Sequence, residues 1–255
     1  MGMKILLLLA LLIFTACGKD HKKDHIIAKI PEASGICYNA KTDTLFAVSD
    51  RGRIYELSLQ GKKLRHKDIG KYDLEGIACD TSGNMLLGID EGADNLLLID
   101  PKTLNIKKIV SVKRSFHKAR ILQKDKEYGL EGVTIDPSGT IYLSNQSHYL
   151  FPHTDPSVIV TVRDLQHPKT PILSLIDPRI RDIAGLSYKN GALYFVSDTD
   201  DRLYRYDLKK GKIDLSAKLP KFAQEGITFD NKGNIYFADD NGHIFRYKEK
   251  KFGIK

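Results

Sequence analysis

The stretch Glu225-Gly226-Ile227-Thr228-Phe229-Asp230-Asn231-Lys232-Gly233-Asn234-Ile235-Tyr236-Phe237-Ala238-Asp239 contains one complete unit of a repeated pattern. An acidic residue and a glycine precede alternating apolar positions. A turn with a second glycine follows, and then an aromatic run that ends in aspartate. Alternation with a period of two residues is typical of β-strands. The stretch therefore predicts two antiparallel strands joined by a tight turn.

The same pattern occurs five times along the chain. Glu75-Gly76-Ile77 and Glu131-Gly132-Val133 begin two further clear copies, and Ser34-Gly35-Ile36 and Ala184-Gly185-Leu186 begin two degraded ones. Third and fourth strands follow the first two after polar turns. Repeats of about 40 to 50 residues made of short strands are typical of β-propeller blades, which stack around an axis because none buries both faces alone. The sequence predicts an all-β, five-bladed β-propeller.

The last repeat leaves few residues for a fourth strand, since only eight follow Tyr247. Residues 25–30 form an apolar stretch before the first repeat. Pairing of this stretch with the last blade would close the ring, and a short C-terminal strand is the alternative. The chain of 255 residues with 42% apolar content is large enough for one sizeable core.

The N-terminus is interpreted as a targeting segment. Lys4 precedes an apolar run over residues 5–14 that is too short to cross a bilayer comfortably, and Ala16-Cys17 resembles the bacterial lipoprotein processing motif. A plain secretory signal is the alternative. We expect a lipoprotein signal peptide at 1–16, a lipidated Cys17 and tether at 17–25, and the propeller at 26–255. The expected location is the bacterial cell envelope, lipid-anchored and facing the periplasm or the exterior.

The two remaining cysteines and the net charge set further expectations. Cys37 and Cys79 lie at different offsets from their repeat glycines, which places their side chains on opposite faces of their strands, so we expect two buried, unpaired thiols. The formal net charge is +8. Export from the cytoplasm and the spread of Lys and Arg residues argue against a nucleic-acid partner and favour a solvated surface, with a weak attraction to anionic envelope components.

The unit that begins at Glu225 resembles an NHL-type propeller repeat. The order of motifs, from Ser34-Gly35-Ile36 through residues 45–50 to Asp73-Leu74-Glu75-Gly76-Ile77, is similar to that of the SdiA-regulated family of bacterial envelope proteins. The similarity covers about residues 26–250. The resemblance implies a five-bladed propeller that carries a calcium site and has no established biochemical activity.

Three inner strands begin with glutamate directly before the repeat glycine, at Glu75, Glu131 and Glu225. Equivalent positions of inner strands form a ring around one mouth of the channel, where three carboxylates must take up protons or bind a cation. Calcium, the ion that the resemblance implies, accepts six to eight oxygen ligands, whereas the ring has no histidine or cysteine for zinc. The alternative is that each glutamate accepts hydrogen bonds from the next blade without any ion.

A second ring of polar residues ends the second strands, on the same side of the disk as the glutamates. A structural role in the following turns is one interpretation, and support of the metal or direct contact with it is the other. The ring consists of Asp50, Asp90, Asn145, Asp198 and Asp239.

Two functions of different classes remain open. The first is a non-enzymatic, calcium-binding module that presents its loops to a protein, peptide or glycan. The second is a calcium-dependent hydrolase of the lactonase or phosphoesterase type, which needs an exposed metal and a nearby acid or base. The long connection at 146–181, with His148 and His153, could supply either function. No nucleophile elbow, zinc-protease motif or phosphate-binding loop occurs.

Overall fold

The computed structural model describes residues 22–117, 119–122 and 129–254. Its strands form five main sheets, one for each predicted blade, and a separate two-stranded hairpin. The all-β, five-bladed propeller predicted from the repeats is therefore confirmed. The expected signal peptide at 1–16, the lipidation site Cys17 and residues 18–21 of the expected tether lie outside the described residues.

Each blade is built from strands that follow one another in the chain. A 3-10 turn, Lys22–His25, precedes β1 (Ile26–Lys29). Blade 1 contains β2 (Ala33–Asn39), β3 (Thr44–Ser49), β4 (Arg53–Ser58) and β5 (Lys63–Asp68). Blade 2 contains β6 (Leu74–Cys79), β7 (Leu86–Asp90), β8 (Asn95–Ile99) and β9 (Ile106–Val112). The hairpin consists of β10 (Ser115–Phe116) and β11 (Ala119–Arg120).

The remaining blades repeat the arrangement. Blade 3 contains β12 (Leu130–Ile135), β13 (Ile141–Asn145), β14 (Val158–Val162) and β16 (Ser174–Ile176), while β15 (Lys169–Thr170) pairs with β9 of blade 2. Blade 4 contains β17 (Ile183–Lys189), β18 (Ala192–Ser197), β19 (Arg202–Asp207) and β20 (Lys212–Lys218). Blade 5 contains β21 (Gln224–Phe229), β22 (Asn234–Asp239) and β23 (His243–Lys248), followed by a 3-10 turn, Glu249–Phe252.

The ring closes through the N-terminal strand. β1 pairs antiparallel with β23 and supplies the outermost strand of blade 5. Closure by the stretch before the first repeat is therefore confirmed. It joins the two ends of the folded chain in one sheet.

The repeat glycines are explained by the close approach of neighbouring inner strands. A Cβ atom on Gly132 would lie 2.3 Å from the Ala184 carbonyl oxygen of blade 4, and one on Gly76 would lie 2.0 Å from the Glu131 carbonyl oxygen of blade 3. Such separations exclude any side chain. Glycine is thus required at these positions because the backbones of adjacent blades touch near the axis.

The expectation of two unpaired thiols is wrong. Cys37 in blade 1 and Cys79 in blade 2 form a disulfide, with Cα atoms 5.6 Å apart. The residue two after a repeat glycine reaches the next blade at the position three after its glycine. Thr228 Oγ1 accepts the backbone N–H of Tyr38 (3.0 Å) in the same way. Because neighbouring blades pack face to face, side chains on opposite faces of consecutive strands meet instead of pointing apart.

The two faces of the disk differ in what they carry. We call the face where the inner strands begin the mouth face; it carries Ser34, Glu75, Glu131, Ala184 and Glu225. We call the opposite face the terminal face; it carries Lys22–His25 and Glu249–Phe252. Within the described part of the chain, no helix is long and apolar enough to cross a membrane.

Candidate metal centre

A β-bulge places the first residue of each repeat motif out of register. In blade 3, Leu130 pairs with Asn145 and Val133 pairs with Leu143, so that Glu131 and Gly132 oppose a single residue. The inner strands of the other four blades shift register at the same point. A bulge redirects a side chain that regular pairing would hold against the sheet. The bulges account for the position of the three glutamates around the channel mouth.

The three glutamates line one cavity at the mouth face. The cavity has a volume of about 250 Å³. Glu75, Glu131 and Glu225 all line it, so the structure brings them together as the repeat register predicts. The lining residues are Ser34, Asp50, Glu75, Glu91, Glu131, Gln146, Glu225 and Asp240.

The second predicted ring is divided between the cavity and the turns around it. Asp50 lines the cavity, whereas the other four residues do not. Asp198 accepts the backbone N–H of Gln224 (3.1 Å) and so joins blade 4 to blade 5. Asp239 accepts the N–H of Ala223 (3.0 Å).

The remaining two residues of that ring also engage their surroundings. Asp90 accepts the backbone N–H of Asp73 (3.2 Å). The Asn145 amide donates to the Asp155 carboxylate (3.0 Å) and to the Pro156 carbonyl oxygen (2.9 Å). These contacts stabilise the turns and blade junctions that surround the mouth.

Further cavity residues come one position after the second ring. Glu91 follows Asp90, Gln146 follows Asn145, and Asp240 follows Asp239. The signal in the sequence is the doubled acid Asp90-Glu91 and Asp239-Asp240. Successive side chains of an extended segment point in opposite directions, so the second acid of each pair can face the cavity when the first shapes the turn.

One acidic group is especially dense. Carboxylate oxygens of Asp73, Glu75 and Glu91 all lie within 4.8 Å of one another. Asp73 was not expected from the sequence, because it lies in the connection before β6 and outside the repeat motif. Its backbone carbonyl accepts the N–H of Glu91 (2.9 Å), which ties the two segments together.

The carboxylates of the mouth disfavour one another's ionisation. Burial, followed by the repulsion of Glu225, Glu75 and Glu91, raises the pKa of Glu131 well above its usual range. Burial and the nearby charge of Glu91 raise the pKa of Glu75 in the same direction. Burial, with Asp198 and other acids, raises the pKa of Glu225 to about 8. Burial and Glu32 raise the pKa of Asp50 to about 6.

The Glu131 side chain has an unsatisfied oxygen at the centre of this group. Glu131 is only 8% exposed, and its Oε2 atom has no hydrogen-bond partner within the described residues. A buried polar atom without a partner is costly, and such atoms are rare in native proteins. A bound cation would give this oxygen the partner that it lacks.

The loop 146–157 rises from the same face beside the cavity. Its first residue, Gln146, lines the cavity and donates its backbone N–H to the Gly129 carbonyl oxygen (2.8 Å). Tyr149 is 54% exposed and stacks on His153 with ring centroids 4.2 Å apart. His148 and His153 are not among the residues that line the cavity.

Fold and site together define a class: five-bladed propellers with an acidic pocket at one channel mouth. Within that class, the chain belongs to the SdiA-regulated family, whose model matches residues 20–247. The resemblance seen in the motifs is thereby confirmed. A search of curated proteins finds no match.

Solved structures show the same architecture at low identity. A glutaminyl cyclase from Myxococcus xanthus is 14% identical, with a TM-score of 0.63 over 87% of this chain and 94% of that one. The Cps50 (Swd1) propeller domain from Myceliophteria thermophila is 11% identical, with a TM-score of 0.51 over 88% of this chain and 99% of that one. A chain of a nidogen/laminin complex is 17% identical, with a TM-score of 0.52 over 81% and 72%. These likenesses concern the fold alone.

Proposed function

We propose that this protein is a calcium-binding propeller, anchored to the bacterial cell envelope by a lipid on Cys17, that uses its mouth face to bind a protein, peptide or glycan. Calcium occupies the cavity lined by Glu75, Glu131 and Glu225. The single observation that carries the proposal is the buried and unpartnered Oε2 atom of Glu131, which lies among other carboxylates.

The donor set supports calcium over other cations. The side chains that line the cavity offer a metal only carboxylate, hydroxyl and amide oxygens, and no histidine or cysteine is among them. Calcium accepts carboxylate, carbonyl and amide oxygens in loose geometry, whereas zinc prefers histidine and cysteine. Separate blades supply these oxygens. Binding would neutralise carboxylates that otherwise repel one another.

Calorimetric titration of the chain from Lys19 onward tests the metal. All strands of the five blades lie between residues 26 and 248, so this fragment contains the complete ring. We expect calcium to bind, and Glu131→Gln to weaken binding by about tenfold or more, since calcium affinity follows the number of charged ligands. Glu56→Gln is the matched control. Glu56 is also 8% exposed but pairs with Arg65 outside the cavity. Equal affinity in all three proteins, or no calcium binding, contradicts the proposal.

The proposed lipid anchor has its own test. Ala16-Cys17 after an apolar run is the feature that supports it. In bacteria supplied with a labelled fatty acid, the full chain should carry the label and fractionate with membranes, and Cys17→Ser should abolish both. Label that persists in the variant contradicts lipidation at this residue. The calcium result is independent of this outcome.

The proposed binding role rests on the loop 146–157. An aromatic side chain that is exposed and held in place is typical of binding surfaces. Tyr149→Ala should reduce calcium-dependent crosslinking to envelope components. Leu173→Ala is the control, because Leu173 is exposed to a similar degree (52%) on the outer side of blade 3. Equal crosslinking by both variants would argue against a role for the loop.

A calcium-dependent hydrolase of the lactonase or phosphoesterase type is the second candidate. The close carboxylates of Asp73 and Glu91 favour it, because a metal-assisted hydrolysis needs a base beside the metal. A screen of lactones and phosphoesters, with and without a chelator, decides between the two functions. Chelator-sensitive turnover that is lost in Glu91→Gln would support the hydrolase, and calcium binding without turnover would support the binding module.

A further inference from the structure

The topology places both ends of the folded chain on the terminal face. β1 runs antiparallel to β23, with Lys29 opposite His243 and Ile26 opposite Phe245. His243 follows the mouth-face turn that ends β22, so the chain before Ile26 lies at the opposite face. The 3-10 turn Glu249–Phe252 follows β23 on that same side. Any segment that precedes residue 22 therefore leaves the propeller from the terminal face.

Lysine-rich turns surround the place where the segment before residue 22 leaves the propeller. The turns 59–63, 208–212 and 248–251 belong to blades 1, 4 and 5, and we call them together the lysine sector. They contain the exposed residues Lys62, Lys63, Lys209, Lys210, Lys212, Lys248, Lys250 and Lys251.

Direct contacts show that the sector is continuous. Gly61 packs directly on the backbone of Ile27, and Arg246 donates to the Leu59 carbonyl oxygen (3.0 Å). These contacts join the blade 1 turn to blade 5. Gly253, just after the blade 5 turn, faces Leu215 of blade 4. The three turns therefore form one surface of the disk.

Two acids beside the lysine turns are already paired, whereas Asp24 in the N-terminal 3-10 turn is exposed. Glu249 forms an ion pair with Lys189, and Asp207 forms one with Lys210. By contrast, Lys62, Lys209 and Lys250 have no acidic partner among the described residues. Their charges are therefore available to an external anionic surface.

The mouth face has the opposite character, because its cavity is lined by carboxylates of four blades. The acidic cavity and the lysine sector thus lie on opposite faces of the disk. Such a separation orients a molecule near a charged surface. The negative surface of a bilayer that contains anionic phospholipid attracts lysines that lie within a Debye length.

The distance from the expected anchor agrees with this orientation. Five Cα-to-Cα steps lead from Cys17 to Lys22. A fully extended chain of this length spans at most about 18 Å. A lipid on Cys17 would hold the terminal face close to the bilayer. This step rests on the proposed anchor, whereas the charge argument does not.

We propose that the lysine sector of the terminal face is a docking surface for an anionic phospholipid bilayer, which directs the acidic mouth away from the membrane. The occupant is a lipid surface and not an extended polyanion, because the turns lie on one side of a flat disk beside the exit of the chain. Leu64, 48% exposed at the start of β5, adds an apolar side chain next to Lys62 and Lys63.

Vesicle sedimentation of the chain from Lys19 onward tests the proposal without the lipid anchor. The probes are vesicles of phosphatidylcholine alone and vesicles that also contain phosphatidylglycerol. The test variant combines Lys62→Glu, Lys209→Glu and Lys250→Glu. A matched control combines Lys71→Glu, Lys113→Glu and Lys218→Glu, which are exposed lysines where outer strands end at the mouth face, and it changes the net charge equally.

The wild type should bind the anionic vesicles and release them at high salt, because the attraction is screened. The test variant should bind about 100-fold more weakly, given the contribution of each lysine near such a surface. The control should change binding only a few fold. Circular dichroism verifies that both variants are folded. Equal losses in the two variants, equal binding to both kinds of vesicle, or no binding by the folded wild type would each overturn the proposal.

Discussion

The substitution Glu131→Gln distinguishes a cation site from a purely structural glutamate. Its effect on the stability of the calcium-free protein should have opposite signs in the two cases. Glutamine has nearly the same shape as glutamate but no charge. In the structure, Glu131 is buried beside Glu75 and Glu225, and its Oε2 atom has no partner within the described residues. Without a bound cation, the substitution should therefore stabilise the protein.

The magnitude follows from the carboxylate spacing at the mouth. Two carboxylate charges 4.8 Å apart, the limit found for Asp73, Glu75 and Glu91, would repel by about 3.5 kcal/mol at an effective dielectric constant of about 20. Glu131 lies outside that group, so this value is an upper scale for its repulsion. Part of this repulsion is relieved in the wild type because its carboxylates take up protons. We therefore expect Glu131→Gln to stabilise the calcium-free protein by about 1 to 3 kcal/mol. For a domain of this size, this is a rise of about 3 to 8 °C in Tm.

Calcium should reduce or cancel the stability advantage of the variant over the wild type. At a concentration of about 100 times Kd, a ligand stabilises the folded state by about 2.7 kcal/mol. A tenfold loss of affinity in Glu131→Gln would remove about 1.4 kcal/mol of that increment. The wild type should thus gain more from calcium than the variant.

Thermal unfolding in a chelator and in excess calcium measures all of these quantities. Glu56→Gln is the matched control, because Glu56 accepts hydrogen bonds from Thr44 (2.9 Å) and Arg65 (2.5 Å). It should lose about 1 kcal/mol with or without calcium, since it weakens an ion pair whose Arg65 side chain is 38% exposed. If Glu131→Gln is destabilised in both conditions like this control, Glu131 is a hydrogen-bond acceptor between blades and the reasoning fails.

The pH dependence without calcium provides a second check. An unfolded glutamate ionises near its ordinary pKa of 4.5, whereas burial and neighbouring acids raise the pKa of Glu225 to about 8. A raised carboxyl pKa contributes stability that is present below about pH 4.5 and is lost as the pH rises towards 8. In chelator, the free energy of unfolding should fall over this window by a few kcal/mol at most, and Tm should fall with it. Excess calcium should flatten the profile, and a flat profile in chelator would contradict the charge repulsion.

Three further predictions concern the propeller itself. Cys79→Ser should lower the free energy of unfolding by about 4 kcal/mol, from the loop-closure entropy of a disulfide across 42 residues, and reduction of the wild type should match it in a denaturant titration. Gly132→Ala should cost about 3 kcal/mol in the same assay, because its Cβ would lie 2.3 Å from a backbone oxygen, whereas Gly92→Ala, with nothing within 4 Å, should cost under about 0.5 kcal/mol. Burial and Asp136 raise the pKa of Tyr142 to about 12. The stability that the neutral Tyr142 side chain contributes is therefore present below about pH 10 and is lost towards pH 12. Tyr142→Phe should flatten this alkaline fall in Tm.

Each of these predictions has an outcome that contradicts it. Unchanged unfolding of Cys79→Ser would mean that the disulfide adds no stability. Equal costs for Gly132→Ala and Gly92→Ala would mean that the inner strands are not in backbone contact. An alkaline transition that is identical in Tyr142→Phe would assign that transition to other groups.

The sequence by itself determined the blade count, the inner strands and the three mouth glutamates. The alternation around Ile227 and the glycine before it are local patterns. Because the pattern is repeated, it occupies equivalent positions in every blade. Positions that are equivalent in the sequence become neighbours around an axis. This is why Glu75, Glu131 and Glu225 could be predicted to converge without any coordinates.

Only the tertiary structure decided the Cys37–Cys79 bond, the presence of Asp73 and Glu91 at the mouth, and the ring closure through β1. These features depend on which face of one blade meets which face of the next, and on where turns of different lengths lead the chain. Asp73 lies outside the repeat register and has no counterpart from which its position can be inferred, and Glu91 is marked only by the doubled acid Asp90-Glu91. Their proximity arises from the packing of whole blades, because short-range periodicity specifies a strand but not its neighbour in space.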